Sequence, residues 1–374
     1  MRSARMFFRV VVLLLMLSAV AQACTVPVFR YALERWPAAP YVVTVFVDGE
    51  PRGEVKESIE AMQKFADART APGNLVVNVV NTGHPVDGDR VKELWAEHKK
   101  KHAEPFMVVE YPEEDGKEWV CWSGPINYET VNTLLDSPAR RQVAKDILSG
   151  ISATWVLVES GDRAKDDAAA KVLDESLRKF EKEFALPEID PDDPTSKLRS
   201  ALPLKLKFTT LRIKKDDAAE RLFVHQMVAA EKDVSLDKGP LVFAIFGRGR
   251  VMPPLVGEEI VEKYVYEFAT FLCGACSCEV KTLNPGTDLL MAADWDAILE
   301  DRKVEEPAKT SIAGKQVAIP RGLATQPTNV ATSGQDAAAS QGNSRMWWFI
   351  GGGILLAFFA AMGSLRGKRR AGQI

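Results

Sequence analysis

The sequence predicts an α/β chain in which one order of elements, βαβαββα, runs twice in tandem, followed by a C-terminal transmembrane helix. Three observations carry this. β-Branched runs such as Tyr41 to Val47 and Leu75 to Val80 alternate with segments whose apolar residues recur at helical spacing. The alternation restarts at Thr154 and keeps its order. Met346 to Leu365 is a stretch of twenty residues without a charge.

The first unit is expected over residues 24–150. Phe29, Leu33 and Trp36 are spaced for a short helix with one apolar side. Tyr41 to Val47 is nearly continuous in β-branched residues, the mark of a strand buried on both faces, and Asp48-Gly49 ends it. Val55, Ile59, Met62 and Phe65 line one side of a helix over 54–69. Leu75 to Val80 is the next strand, and 89–101 the next helix, with Val91, Leu94 and Trp95 inward. Pro105 introduces a strand over 106–111, a polar turn follows, and 118–122 returns. Residues 128–149 are helical, broken near Ser137-Pro138.

The second unit is expected over 151–300. A strand at 154–158 leads to a long helix at 166–184, with Leu173, Leu177 and Phe180 inside. Residues 187–194 form an acidic, proline-rich excursion. A strand follows at 204–213, then a helix at 218–230. Pro240 introduces the strand 241–246, Gly247-Arg248-Gly249-Arg250 turns into 251–256, and a helix over 258–272 closes the unit.

The ends differ from this body. Arg2, Arg5 and Arg9 precede the apolar run Val10 to Leu17, and Ala21-Gln22-Ala23 follows, so 1–23 reads as a secretory signal. Cleavage there makes Cys24 the first residue; a lipoprotein signal also puts Cys there but favours Leu where Ala21 stands. Residues 301–344 are rich in Ala, Gln, Ser, Thr, Pro and Gly, the composition of a flexible linker. A helix over 345–366 spans about 30 Å, one hydrocarbon core. Trp347 and Trp348 sit at one edge, and Arg366, Lys368, Arg369 and Arg370 follow. These place the tail, 367–374, in the cytoplasm and 24–344 outside it, in the periplasm or extracellular space, on a single-pass membrane protein. With the basic residues of leader and tail set aside, 40 basic residues face 51 acidic ones, a net charge of −11. That excludes nonspecific nucleic-acid binding.

The element order, with Pro105 and Pro240 before the third strand of each unit, resembles the thioredoxin-like fold over residues 40–272. The resemblance implies that both prolines are cis. It also implies where redox chemistry would sit: at a Cys-x-x-Cys between first strand and first helix. Here those loops read Asp48-Gly-Glu-Pro-Arg-Gly-Glu54 and Ser160-Gly-Asp-Arg-Ala-Lys-Asp166, without a cysteine. The thiolate that a helix N-terminus would stabilise is missing from both. The segments Cys24 to Trp36, Phe246 to Arg250, Cys276-Ser-Cys278 and Asn284-Pro-Gly286 further resemble an uncharacterised family of exported, C-terminally membrane-anchored bacterial proteins.

Candidate chemistry is sparse. Cys121 lies in an apolar strand and reads as a buried free thiol. Cys24, Cys273, Cys276 and Cys278 remain, enough for structural disulfides, for one soft-metal site holding zinc or copper, or for thiol exchange. A disulfide from Cys24 to the cluster would close a loop of roughly 250 residues, for about 3–5 kcal/mol in the chain-entropy model. Arg248 and Arg250 could clamp an anion or sit solvated on a hairpin turn. His98 and His102 have the spacing of a metal-binding helix face, but Lys99 to Lys101 between them favour a solvated helix end. Hydrolase, phosphate-loop and dinucleotide motifs are absent. The expectation is a redox-silent interaction or assembly module with a protein partner and no cofactor. The alternative is a membrane-tethered thiol or metal handler.

Overall fold

Eighteen strands and helices organise the described part of the computed structural model, which covers residues 24–67, 73–113, 119–231, 234–276 and 280–300. The expected leader (1–23), linker (301–344), membrane span (345–366) and tail (367–374) lie outside these residues. Among the described residues, no helix is long and apolar enough to cross a membrane. In chain order the elements are α1 (Val28–Arg35), β1 (Tyr41–Val47), α2 (Gly53–Ala66), β2 (Leu75–Asn81), α3 (Asp89–His98), β3 (Phe106–Glu110), β4 (Val120–Pro125), α4 (Tyr128–Leu135) and α5 (Pro138–Leu148). Then come β5 (Ala153–Glu159), α6 (Arg163–Glu183), β6 (Phe208–Lys214), α7 (Arg221–Ala229), β7 (Leu241–Phe246), β8 (Arg250–Val251), β9 (Leu255–Val256), α8 (Glu262–Cys273) and β10 (Thr287–Asp288).

The chain is α/β with two mixed sheets. The first has the order β2-β1-β3-β4, the second β10-β8-β7-β5-β6, with β9 also paired to β7. In each, the first two strands are parallel and the third runs antiparallel to the first. The β-branched runs do what their pattern demands. Val43 and Val45 point into the core under α2 and α4, and Phe46 points to the other face, where it stacks near Trp95 and Phe106.

Packing does not respect the boundary at residue 150 that element order suggests. The helix expected over 128–149 is two helices. Asp136 is extended, the Ser137 side chain accepts from the Arg140 amide at 3.3 Å, and Pro138 opens the new helix. The halves serve different sheets: α4 packs in the first core, and α5 lies against β5 and β6. α1 also joins the second core, with Leu33 beside Val143, Ile147, Phe243 and Ile245. Its seat is the turn after β7. Gly247 has φ +58° there, and a Cβ on it would meet the Ala32 methyl at 2.7 Å.

Prolines explain one further difference. The strand expected at 251–256 is split into β8 and β9, because Pro253 and Pro254 offer no amide to the ladder. The strand expected from 204 begins only at Phe208, opposite the first residue of β5. The Glu104–Pro105 peptide is cis, as expected; Gly239–Pro240 is not. Gly239 makes that turn with φ +128°, so the chain reverses without a cis bond.

Two segments belong to both cores. α7 serves both: Leu222 enters the first core, and Phe223, Val224 and Met227 enter the second. It is fastened to the first sheet by Tyr111 Oη donating to the Gln226 carbonyl at 2.6 Å and by His225 Nε2, 2.8 Å from the Cys121 carbonyl. Residues 289–298 do the same: Leu290 packs in the first core, and Leu289, Met291, Trp295 and Ile298 in the second. Because these cores share elements, denaturant should unfold both sheets in one transition. Phe223→Ala should cost about 3–5 kcal/mol of that single transition in urea titrations followed by tryptophan fluorescence. Two separated transitions would contradict the shared core.

Candidate functional site

The cysteine cluster is a meeting point of chain ends. α8 ends at Cys273, and Gly274 and Ala275 run antiparallel to the first described residues. The Val28 amide donates to the Gly274 carbonyl at 3.0 Å and the Cys276 amide to the Val26 carbonyl at 2.9 Å. Cys24, Cys273 and Cys276 are each 1% exposed or less. The Cys24 thiol donates to the Thr195 carbonyl at 3.3 Å. Burial pushes the Cys273 thiol well up, and the Glu181 charge adds to that. Cys24, Cys121 and Cys273 carry free thiols; Cys278 lies outside the described residues. Among the described residues, no group of three or more His, Cys, Asp or Glu is arranged to hold a metal. The segment after α8 and the first described residues meet through a backbone ladder.

A second layer fastens α1, and sequence reasoning missed it. Arg30 and Glu34 are i, i+4 on a helix with no solvent side, and both are 1% exposed. Arg30 Nε donates to Glu34 Oε1 at 2.7 Å, and its Nη2 donates to the carbonyls of Ser200 and Leu202. Glu34 accepts from the amides of Arg199 and Ser200. The segment 199–202, beyond the proline-rich excursion, is thus held onto α1 by one ion pair and backbone groups. The signal was available: an oppositely charged i, i+4 pair on the apolar helix.

Arg248 and Arg250 are neither solvated nor presented to a ligand. Arg250 is 5% exposed and donates to Asp288 Oδ1 at 3.2 Å, to the Asn284 carbonyl at 2.8 Å and to the Pro285 carbonyl at 3.1 Å. Asp288 also takes Lys281 Nζ and the Ala39 amide, while its carbonyl accepts from Tyr41 Oη at 3.0 Å. Arg248 donates to the Leu33 carbonyl at 2.9 Å and to Asp296 at 2.8 Å. Both arginines hold other segments onto the β7–β8 turn.

The loops where the resembled fold keeps its thiols are also spoken for. Before α6, the Asp162 carboxylate caps the amides of Ala164 and Lys165, and Asp166 accepts from Ser160 N, Ser160 Oγ and Gly161 N at 2.8–3.0 Å. The positive end of that helix is filled by its own carboxylates. At α2, Glu54 accepts from the Tyr128 amide at 2.7 Å. The hollow beneath α1, lined by Phe29, Leu33, Ile147, Leu202 and Gly247, has no room for a water molecule.

His98 overturns the solvated reading of its helix end. It is 3% exposed, and its Nδ1 lies 3.0 Å from Ser123 Oγ. His102 Nε2 lies 2.9 Å from the same hydroxyl, and the two rings are parallel at 6.3 Å. The serine hydroxyl bridges them and joins α3 to β4. No protein-family model matches the sequence, and a search of curated proteins returns no relative.

Two outcomes follow from these geometries. Asp288→Asn leaves Arg250 and Lys281 without their counter-charge. It should cost about 3–5 kcal/mol in denaturant titrations, whereas charge removal at exposed Lys56 should change almost nothing. Burial lowers the pKa of folded His98 below the ordinary 6.5, with Glu97 opposing and Lys101 and His102 assisting. As pH falls, the unfolded chain therefore takes up this proton first. Stability from His98 is complete above about pH 6.5 and is lost as pH drops below it. The unfolding midpoint should fall between pH 7.5 and pH 5.5, and His98→Gln should reduce that fall.

Proposed function

We propose that the chain is a membrane-anchored envelope protein whose two sheets are thioredoxin-like units kept without their redox chemistry, serving as an interaction or assembly module. The repeated βαβαββα order, the parallel first pair of strands and the cis Glu104–Pro105 bond at the head of β3 support the fold reading. The leader and the C-terminal apolar stretch in the sequence support export and anchoring.

One observation carries the functional part. The N-terminus of α6 is occupied by Asp162 and Asp166, and the loops before α2 and α6 hold no thiol. A redox unit of this fold needs an accessible thiolate at that place, where the helix dipole lowers its pKa. Cys24, Cys121, Cys273 and Cys276 lie elsewhere, buried. The Cys121 thiol, pushed up to about 12 by burial, is not a nucleophile at neutral pH.

The competing reading, thiol or soft-metal handling by Cys24, Cys273, Cys276 and Cys278, draws on the juxtaposition of the N-terminal segment with the end of α8. The two separate in one preparation of the full-length chain. It should show no insulin-disulfide reductase activity, no stoichiometric zinc or copper, and slow modification of Cys24, Cys121 and Cys273 by a thiol reagent until denatured. Reductase activity lost in Cys276→Ser, or bound metal lost with it, would overturn the redox-silent reading.

A further inference from the structure

The two sheets treat their matching edge strands differently. β6, the edge of the second sheet, is guarded. Its exposed positions are Thr210, Arg212 and Lys214, and Arg212 pairs with Glu159 and Asp167. Edge charges of this kind block strand addition. β2, the equivalent edge of the first sheet, reads Leu-Val-Val-Asn-Val-Val-Asn and carries no charge. Val76 and Val79 are 43% and 41% exposed. The opposite edge of that sheet, β4, is covered by α7.

β2 is also held ready. At its start the Asn74 side chain bonds to the Ala39 and Leu289 carbonyls and to the Met291 amide, and Gly73 is bridged to Ala292. At its end Asn81 Oδ1 accepts from the amides of Gly49 and Gly83. The parallel register with β1, fixed by Tyr41 N to Asn74 O and Thr82 N to Val47 O, turns even-numbered residues of β2 toward β1. The amides and carbonyls of Val77 and Val79 therefore point outward, into the open edge.

We propose that β2 is the docking strand for β2 of a second copy of this chain, paired antiparallel about a two-fold axis through Asn78. The segment Val76-Val77-Asn78-Val79-Val80 reads the same in both directions. With Asn78 opposite its own copy, Val77 faces Val79 of the second chain and Val79 faces Val77. These are the residues whose backbone groups point outward, so four hydrogen bonds form without a register shift. Val76 meets Val80 on one face, and the two first sheets become one sheet of eight strands. A partner strand of different sequence would not need this symmetry.

The pairing extends the assembly reading and rests on it for its purpose, but the two fail separately. A reductase would sink redox silence and leave the strand pairing intact. A failure of pairing would leave the thiol-free loops as they are.

The register gives a test on the full-length chain in detergent. Asn78 and its copy form a non-hydrogen-bonded pair with Cα atoms about 4.5 Å apart, within reach of a disulfide. Oxidised Asn78→Cys should yield a reducible dimer in which mass spectrometry finds residue 78 linked to residue 78. Val76→Cys should yield about tenfold less, because its counterpart is Val80. Adding Val79→Lys to Asn78→Cys should cut the cross-link about tenfold, because each chain would set a charged edge lysine opposite Val77 of the other. Equal cross-linking at 76 and 78, indifference to Val79→Lys, or no dimer overturns the proposal. So does a chain that stays uncross-linked while the Val77 and Val79 amides resist hydrogen exchange, since another strand would then hold the edge.

Discussion

Asp288 is the junction on which the arrangement of the two sheets depends. It sits on β10, at the rim of the second sheet, with its side chain 3% exposed. Its carboxylate gathers Arg250 from β8, Lys281, and the Ala39 amide just ahead of β1. Its own carbonyl takes the hydroxyl of Tyr41, the first residue of β1. One residue thus ties the last strand of one sheet to the first strand of the other. A buried arginine and a half-buried lysine around one carboxylate, with backbone donors and acceptors taking up the remaining sites, meet the condition for a buried ion pair to repay its desolvation. An apolar replacement of similar size could match its stability but would not fix the position of three separate segments.

The same logic runs through the other fastenings. Arg30 and Glu34 bind the excursion between α6 and β6, and Arg248 holds the carbonyl end of α1. In each case a charged side chain satisfies backbone groups that regular structure leaves unpaired. The residues most polar in a sequence scan are here the ones that organise irregular chain. Cys24 and Cys276 are brought near each other by a short antiparallel ladder, and α1 is then locked by charge.

Much of the fold was legible because burial imposes periodicity. Tyr41 to Val47, Leu241 to Phe246 and the long helix α6 show their pattern directly. The partition of elements between sheets was not legible. α4 and α5 look like one interrupted helix, and only tertiary packing shows that Ser137-Pro138 hands the chain to another core. Charge pattern misled at two places. Arg250 and His98 sit in polar-looking sequence and are buried, because their partners, Asp288 and Ser123, lie 38 and 25 residues away. No local window contains such a pair. Pro240 failed for another reason: a glycine beside it, free to take φ +128°, made the cis bond unnecessary.

The asymmetry between the two units then has a physical account. The second sheet is surrounded. α1, α5 and residues 289–298 join its core, its edge β6 carries charge, and the amides opening α6 are capped from within. The first sheet receives α7 over β4, whereas among the described residues no further strand pairs with the outer side of β2. Chain borrowed by one unit is chain denied to the other, and the deficit falls on the outer backbone of Val77 and Val79. Seven uncharged residues at an edge are a liability unless something is meant to sit there. Fixing both ends of that strand with Asn74 and Asn81 lowers the ordering cost for whatever pairs with it. An edge left bare, uncharged and rigid is one the fold keeps for association.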